Sequence, residues 1–203
     1  MNFRIPDDPD ALRESTGAAA ELARAVRISL CGLDLQKAAS FLPGSLATAG
    51  FDWQQWLRGP FGDVLGDAFV EIYRAASQMQ VRELMAIDAT LDGDGSRSAG
   101  GTLLERLEEA KNLRVIDRMR GLLVPGESPH FTTAFAVQCA EFHLPLRASL
   151  VSYLYGEWRC GMAAIGERGD LEEFAAAGGD MMIAAVAGAL SRGAGPFENV
   201  VGL

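Results

Sequence analysis

Lysine occurs at two positions only, Lys37 and Lys111, and nowhere in the 203 residues do lysine and arginine form a run. With 27 acidic against 18 basic side chains and a net charge of −9, the chain offers no basic stripe to neutralise phosphates, which argues against a nucleic-acid surface. Proteins or cations are the expected partners. Cysteine is scarce and odd in number, at Cys31, Cys139 and Cys160, so a disulfide framework is not expected and a reducing compartment is. Long apolar runs are missing as well. The most apolar stretch, Met181 to Leu190, is roughly half of what crosses a bilayer, and the opening MNFRIPDDPD has no apolar core of a signal peptide. A cytoplasmic protein with no membrane partner is expected. No alternating strand pattern of useful length is found, and no repeat of fixed period.

What the chain does have is helical periodicity. It is 49% apolar, enough to build a core at this length. The stretch from Ser128 to Ile165 organises the rest. Ser128 as cap and Pro129 at the first helical position predict a helix to about Phe142. Pro145 interrupts it and opens a second helix, in which Leu146, Leu150, Leu154, Trp158 and Met162 recur every four residues beside Val151 and Tyr155. Two apolar helices across one proline make a helical hairpin.

Around it, Asp8-Pro9 starts an N-terminal helix through Leu12, Ala19, Leu22, Val26 and Leu30, closed by Gly32 and packing on the bundle. A short helix from Asp34 to Leu42 and a small-residue stretch from Ser45 to Gly50 follow. Asp52 caps a turn with Trp53, Trp56 and Leu57, and Gly59-Pro60 resets the chain. Helices are then expected over Phe61–Ser77, Val81–Leu91 and Thr102–Leu123, with a turn at Asp92–Gly95. Asp170 and Glu173 resemble a capping box, Gly178-Gly179 interrupts, and Asp180 caps a last helix ending at Gly193, before an irregular tail over 194–203. The fold class is all-α: a single compact multi-helix bundle of residues 1–203 with a central helical hairpin.

Few groupings carry chemistry. Gly95 to Thr102 has the spacing of a phosphate-binding loop, but Gly101 stands where the lysine is needed and no strand precedes it, so turn and packing outweigh nucleotide binding. Asp92 to Ser96 opens like a calcium loop, yet Arg97 and Leu103 replace its required glycine and glutamate. Cys139 and His143, four apart, would share a helical face and are the candidate metal ligands, although packing weighs more for both. No complete catalytic motif is present. A helical enzyme would have to draw on His130, His143 or Cys139. Trp53 and Trp56 read as core more readily than as a docking patch, and Arg114, Arg118 and Arg120 as a solvated face. A helical ligand-binding or regulatory module, with an apolar pocket beneath the 146/150/154/158 stripe, is the alternative to a scaffold.

Several blocks occur in a definite order: Trp56-Leu57; Ile72 to Ala76; Ala86 to Ala89; Ser96-Arg97 followed by Gly100 and Leu103-Leu104; His130; and Leu144-Pro145-Leu146-Arg147 with Leu150, Tyr153 and Leu154. In that order and spacing the chain resembles the urease accessory protein UreF family over roughly half its length. The resemblance implies an all-helical, non-catalytic cytoplasmic chaperone, often a homodimer, with no stably bound cofactor. Such a protein joins other accessory proteins, among them a nickel-delivering GTPase, on apo-urease and assists nickel insertion, so any nickel here would be transient. Arg97, His130, Arg147 and Tyr153 stand at the motif positions and are the implied partner-contact candidates. The chain departs from the family pattern at Leu42 to Ser45, where a glycine-rich entry is expected, at Gly166 to Gly169, and in having no arginine-rich stretch over Pro196 to Leu203.

Overall fold

A computed structural model of the chain describes residues 52–107, 113–164, 167 and 171–193. Those residues form an all-α structure, and no strand occurs among them. The expected N-terminal helix, the helix from Asp34 to Leu42, the Ser45 to Gly50 stretch, the Asp170 cap and the tail lie outside the described residues.

Asp52 caps α1 (Trp53–Trp56), its Oδ1 accepting the Gln55 N–H at 3.0 Å, as expected. The chain does not reset at Gly59-Pro60. It continues as a π-helical stretch over Leu57–Leu65 and runs without a break into α2 (Gly66–Ser77). Pro60 has no N–H and would crowd the carbonyl four residues back in an ordinary helix, and a widened ladder in which Gly66 N–H reaches the Phe61 carbonyl accommodates it. Glycine at 62 and 66 suits this path: a Cβ would lie 3.1 Å from the Leu57 carbonyl oxygen and 3.0 Å from that of Phe61. Leu57 and Phe61 are thereby both turned into the core.

Helix α3 (Val81–Asp88) ends earlier than its apolar period suggested. The Gly95 to Thr102 stretch, expected as turn and packing, is instead the body of α4 (Asp94–Arg106), and α5 (Arg114–Arg120) is a separate piece, so the single helix expected from Thr102 to Leu123 is divided. Glycine-rich sequence is a poor helix former, which is why composition pointed to a turn. Packing overrides it, as described for Gly100 below. The N-terminus of α5 is held from another helix: the Glu141 carboxylate accepts the Val115 N–H.

The hairpin is α6 (Phe131–Glu141) and α7 (Leu146–Ala164). Every residue of α6 from Phe131 to Ala140 is buried, as is every residue of α7 from Ala148 to Trp158, so both stretches are covered on all sides rather than on one face. Helix α6 ends in a Schellman arrangement: His143 takes φ 53°, its N–H reaches the Ala140 carbonyl, and Leu144 N–H reaches that of Cys139. Pro145 then opens α7, its carbonyl accepting both the N–H and the hydroxyl of Ser149. The turn is pinned to α2 by Tyr73, whose hydroxyl donates to the Leu144 carbonyl. Tyr73→Phe is expected to lower the unfolding free energy by roughly 1 kcal/mol, read as a shift in urea midpoint with unchanged slope.

Two aromatic clusters fill the core. Phe61, Phe69, Phe131 and Phe135 surround the Tyr153 ring with centroids 5.2–6.3 Å away. Trp53 stacks on Trp56 at 5.1 Å, and Phe174 of α8 (Leu171–Ala176) meets Trp53, Tyr155 and Trp158. The tryptophans are core residues, as expected. Helix α9 (Gly179–Gly193) closes against α2: Gly193 has no room for a Cβ beside Val70, and Arg192 pairs with Asp67 at 2.9 Å while donating to the Gly62 carbonyl.

Candidate functional site

The charged residue whose place in the fold is most constrained is Arg97, on the second turn of α4. One terminal nitrogen donates to Asp88 Oδ2 at 3.0 Å and to the Ser128 carbonyl at 3.1 Å. The other donates to the carbonyls of Asp88 at 3.0 Å and Leu91 at 2.9 Å. Four terminal N–H groups thus meet acceptors from the end of α3, the loop after it and the segment entering α6. Asp88 completes the clamp, since its Oδ1 accepts the His130 N–H at 2.8 Å. The aspartate is buried and the guanidinium is one-third exposed. A planar five-donor fork suits this role where a lysine would not.

The clamp explains why α6 does not start where its sequence suggested. With the Ser128 carbonyl bound to Arg97 and the His130 amide bound to Asp88, residues 128–130 are held out of the helix, with His130 extended. His130 becomes the cap in place of Ser128, its Nδ1 accepting the Thr132 N–H at 3.2 Å. Helix α4 lies directly on this segment. A Cβ at Gly100 would overlap the Pro129 carbonyl oxygen, and one at Gly101 would overlap Ser128 Oγ. Gly100→Ala is expected to cost about 1–3 kcal/mol through overpacking against backbone that cannot move, measured by denaturant unfolding beside Ser98→Ala, on an exposed position of the same helix.

From His130 a line of polar groups runs into the core. Nδ1 lies 3.0 Å from Thr132 Oγ1, which lies 2.8 Å from the Tyr153 hydroxyl. Tyr153 in turn hydrogen bonds Glu157, one turn along α7. Burial pushes the Glu157 carboxyl up to about 7, with the Tyr153 bond opposing. His130 moves the other way, to about 4: burial is the largest cause and the Arg97 charge adds to it, while Asp88 and Asp92 oppose. At neutral pH His130 is an uncharged imidazole.

Above the clamp is an open depression of about 610 Å³, lined by Met85, Asp88, Arg97, Ser98, Leu123 and Glu127 among others. Leu122 and Val124, flanking Leu123 in the chain, are half exposed. Both oxygens of Asp88 and all four terminal donors of Arg97 are already engaged within the protein, so the clamp positions backbone and presents no free nucleophile or base.

Three of the four partner-contact candidates, Arg97, His130 and Tyr153, therefore meet in one hydrogen-bonded line, and the fourth, Arg147, is exposed near the start of α7. His130 and Tyr153 are interior side chains, packed inside the bundle rather than on its surface. The metal candidates do not share a helical face. Cys139 is buried in α6, and His143 is exposed in a left-handed conformation past the helix end, where the four-residue spacing rule no longer holds. Burial also pushes the Cys139 thiol up to about 12, against a weaker Ser149 hydrogen bond, which disfavours the thiolate a metal needs. Among the described residues no group of three or more histidine, cysteine, aspartate or glutamate side chains could hold a metal ion. No helix among them is long and apolar enough to cross a membrane.

Thr132 and Glu157 were not singled out by the sequence, and Asp88 entered only as a member of the Ala86 to Ala89 block. An aspartate in the apolar register of α3 and a lone acid between Tyr155 and Trp158 were the available signals. Comparison with protein-family models, with curated proteins and with solved structures finds no match.

Proposed function

We propose that the chain is a non-catalytic accessory scaffold similar to the urease accessory protein UreF family, acting in the cytoplasm as a homodimer that joins other accessory proteins on apo-urease. Nickel is then cargo that passes through the assembly rather than a resident of this chain. One observation carries the reading: Arg97, His130 and Tyr153 come from three separate motif blocks and belong to one hydrogen-bonded line. Blocks that resemble a family in order and spacing are thus the blocks that join α3, α4, α6 and α7, which is what a shared helical framework requires. The exposed Arg147 and the half-exposed Leu122 and Val124 are the surface groups such a scaffold offers to partners. Co-expression with urease subunits and their accessory proteins tests the reading. Co-purification, weakened by Arg147→Glu or Val124→Asp, is the expected result. Its absence with soluble, folded partners overturns it.

A second reading, a small-molecule-binding or regulatory module, draws on the depression over Arg97. The stripe once expected to floor an apolar pocket is filled: Leu150, Leu154 and Trp158 are core residues, with Phe174 against Trp158.

A further inference from the structure

Among the aromatic side chains of the described residues, Phe142 alone is exposed, at 39%. One exposed apolar side chain is ordinary, and what sets this one apart is its surroundings. Phe142 stands where α6 ends, and exposed His143 and Arg147 follow it on the hairpin turn. The Glu141 carboxylate accepts the Val115 N–H, which brings the first turn of α5 to the same end of the molecule, with exposed Arg114 on it and exposed Arg118 one turn further. The acids within these segments are already engaged, Glu141 on that amide and Asp117 with Arg120 at 3.7 Å. A chain of net charge −9 thus gathers three exposed arginines beside its exposed phenylalanine. The turn is also held in place. His143 takes the left-handed conformation, φ 53°, that glycine usually fills at a helix end, and the Tyr73 hydroxyl donates to the next carbonyl, that of Leu144.

We propose that this end of the hairpin, Phe142 with His143, Arg147, Arg114 and Arg118, is a docking surface for an acidic segment of a partner protein, which sets an apolar side chain against Phe142 and carboxylates against the arginines. Aromatic and arginine side chains are those in which binding energy concentrates, and a guanidinium fork pairs with a carboxylate through two parallel hydrogen bonds. A turn already fixed by its cap and by Tyr73 loses little freedom on binding. Charge selects the occupant. A membrane or a nucleic acid would bring an extended anionic surface against the whole molecule, whose net charge is −9. A short peptide segment is sensitive only to charges within about 8 Å at physiological ionic strength, and there the surface is basic. The assignment goes beyond the scaffold reading, because it fixes the chemistry of the docking segment and holds whatever the partner's identity.

Fluorescence anisotropy with the full-length protein tests the surface, using a labelled peptide of alternating glutamate and leucine and a second peptide with lysine in place of glutamate. The acidic peptide is expected to bind and the basic one not. Arg147→Glu and Phe142→Ser are each expected to weaken binding by about tenfold or more. Affinity is expected to fall as salt is raised from about 50 to 500 mM. Val64→Ser, which removes an exposed apolar side chain elsewhere, is expected to leave binding unchanged. All three substitutions are at exposed positions, and unchanged urea midpoints show that the variants are folded. Absence of binding by the acidic peptide, or equal binding by wild type and the Arg147 and Phe142 variants, overturns the proposal. So does a dimer, seen by sedimentation, that those two variants dissolve, since the occupant is then a second copy of this chain. Binding to phosphatidylserine vesicles without binding of the acidic peptide overturns it in favour of a membrane.

Discussion

Asp88→Ala is expected to destabilise the protein by roughly 3–5 kcal/mol, because removing one member of a buried ion pair strands the other. Three losses coincide. Arg97 loses the carboxylate at 3.0 Å, the His130 amide loses its acceptor at 2.8 Å, and a void opens where a buried side chain stood. The guanidinium is one-third exposed and recovers some hydration, which places the value toward the low end. The amide is not so favoured, since His130 is buried and its N–H has no other acceptor within the clamp. Asp88→Asn separates the contributions. The amide oxygen can still accept from His130, so the loss left is that of the charge on Arg97. Urea unfolding at neutral pH is the measurement, with the aspartate-to-asparagine variant expected between wild type and alanine. A loss under about 1 kcal/mol for Asp88→Ala would mean that the clamp is formed but contributes little to folding. The extended entry to α6 would then have to be held by Gly100 and Gly101 packing alone.

The clamp also marks where sequence reading reaches its limit. Within an element, local rules worked: Asp52 capped α1, Pro145 opened α7, and the four-residue recurrence of Leu150, Leu154 and Trp158 marked a core helix. They failed where a distant partner overrode a local preference. Gly59-Pro60 and Gly95–Gly101 have the composition of breaks, yet both are helical, one through a widened ladder and the other because only glycine lets α4 rest on the Pro129 backbone. Ser128 was the better local cap, and His130 took the role once Arg97 and Asp88 had fixed the residues before it. Arg97, Asp88 and His130 are separated by 9 to 42 positions, and no periodicity links them. Family resemblance drew attention to Arg97, His130 and Tyr153 as surface contacts. Burial makes two of them internal, and their grouping rather than their exposure is what the motif blocks encode.

Glu157→Gln is expected to change how stability varies with pH, and the sign follows from two opposed groups. The Glu157 carboxyl is raised from 4.5 to about 7 in the folded protein. Its contribution is fully present below 4.5 and is lost as pH rises through about 7, because the folded state must then ionise a carboxyl kept from water. His130 is lowered from 6.5 to about 4. Its contribution is present above 6.5 and is lost as pH falls through about 4. Between 4.5 and 6.5 the two slopes oppose each other, and the wild-type profile is flattened by their cancellation. Glutamine keeps a donor toward Tyr153, as the protonated acid does, and cannot ionise. The variant is therefore expected to show the His130 slope alone, with stability rising from about pH 4 to 6.5, and to exceed the wild type above pH 7 by on the order of 3 kcal/mol. His130→Gln should show the converse, a fall in stability as pH rises toward 7. Denaturant midpoints across this range decide the matter, since parallel profiles for wild type and Glu157→Gln would show that the carboxyl is reached by water and is not held protonated by the core.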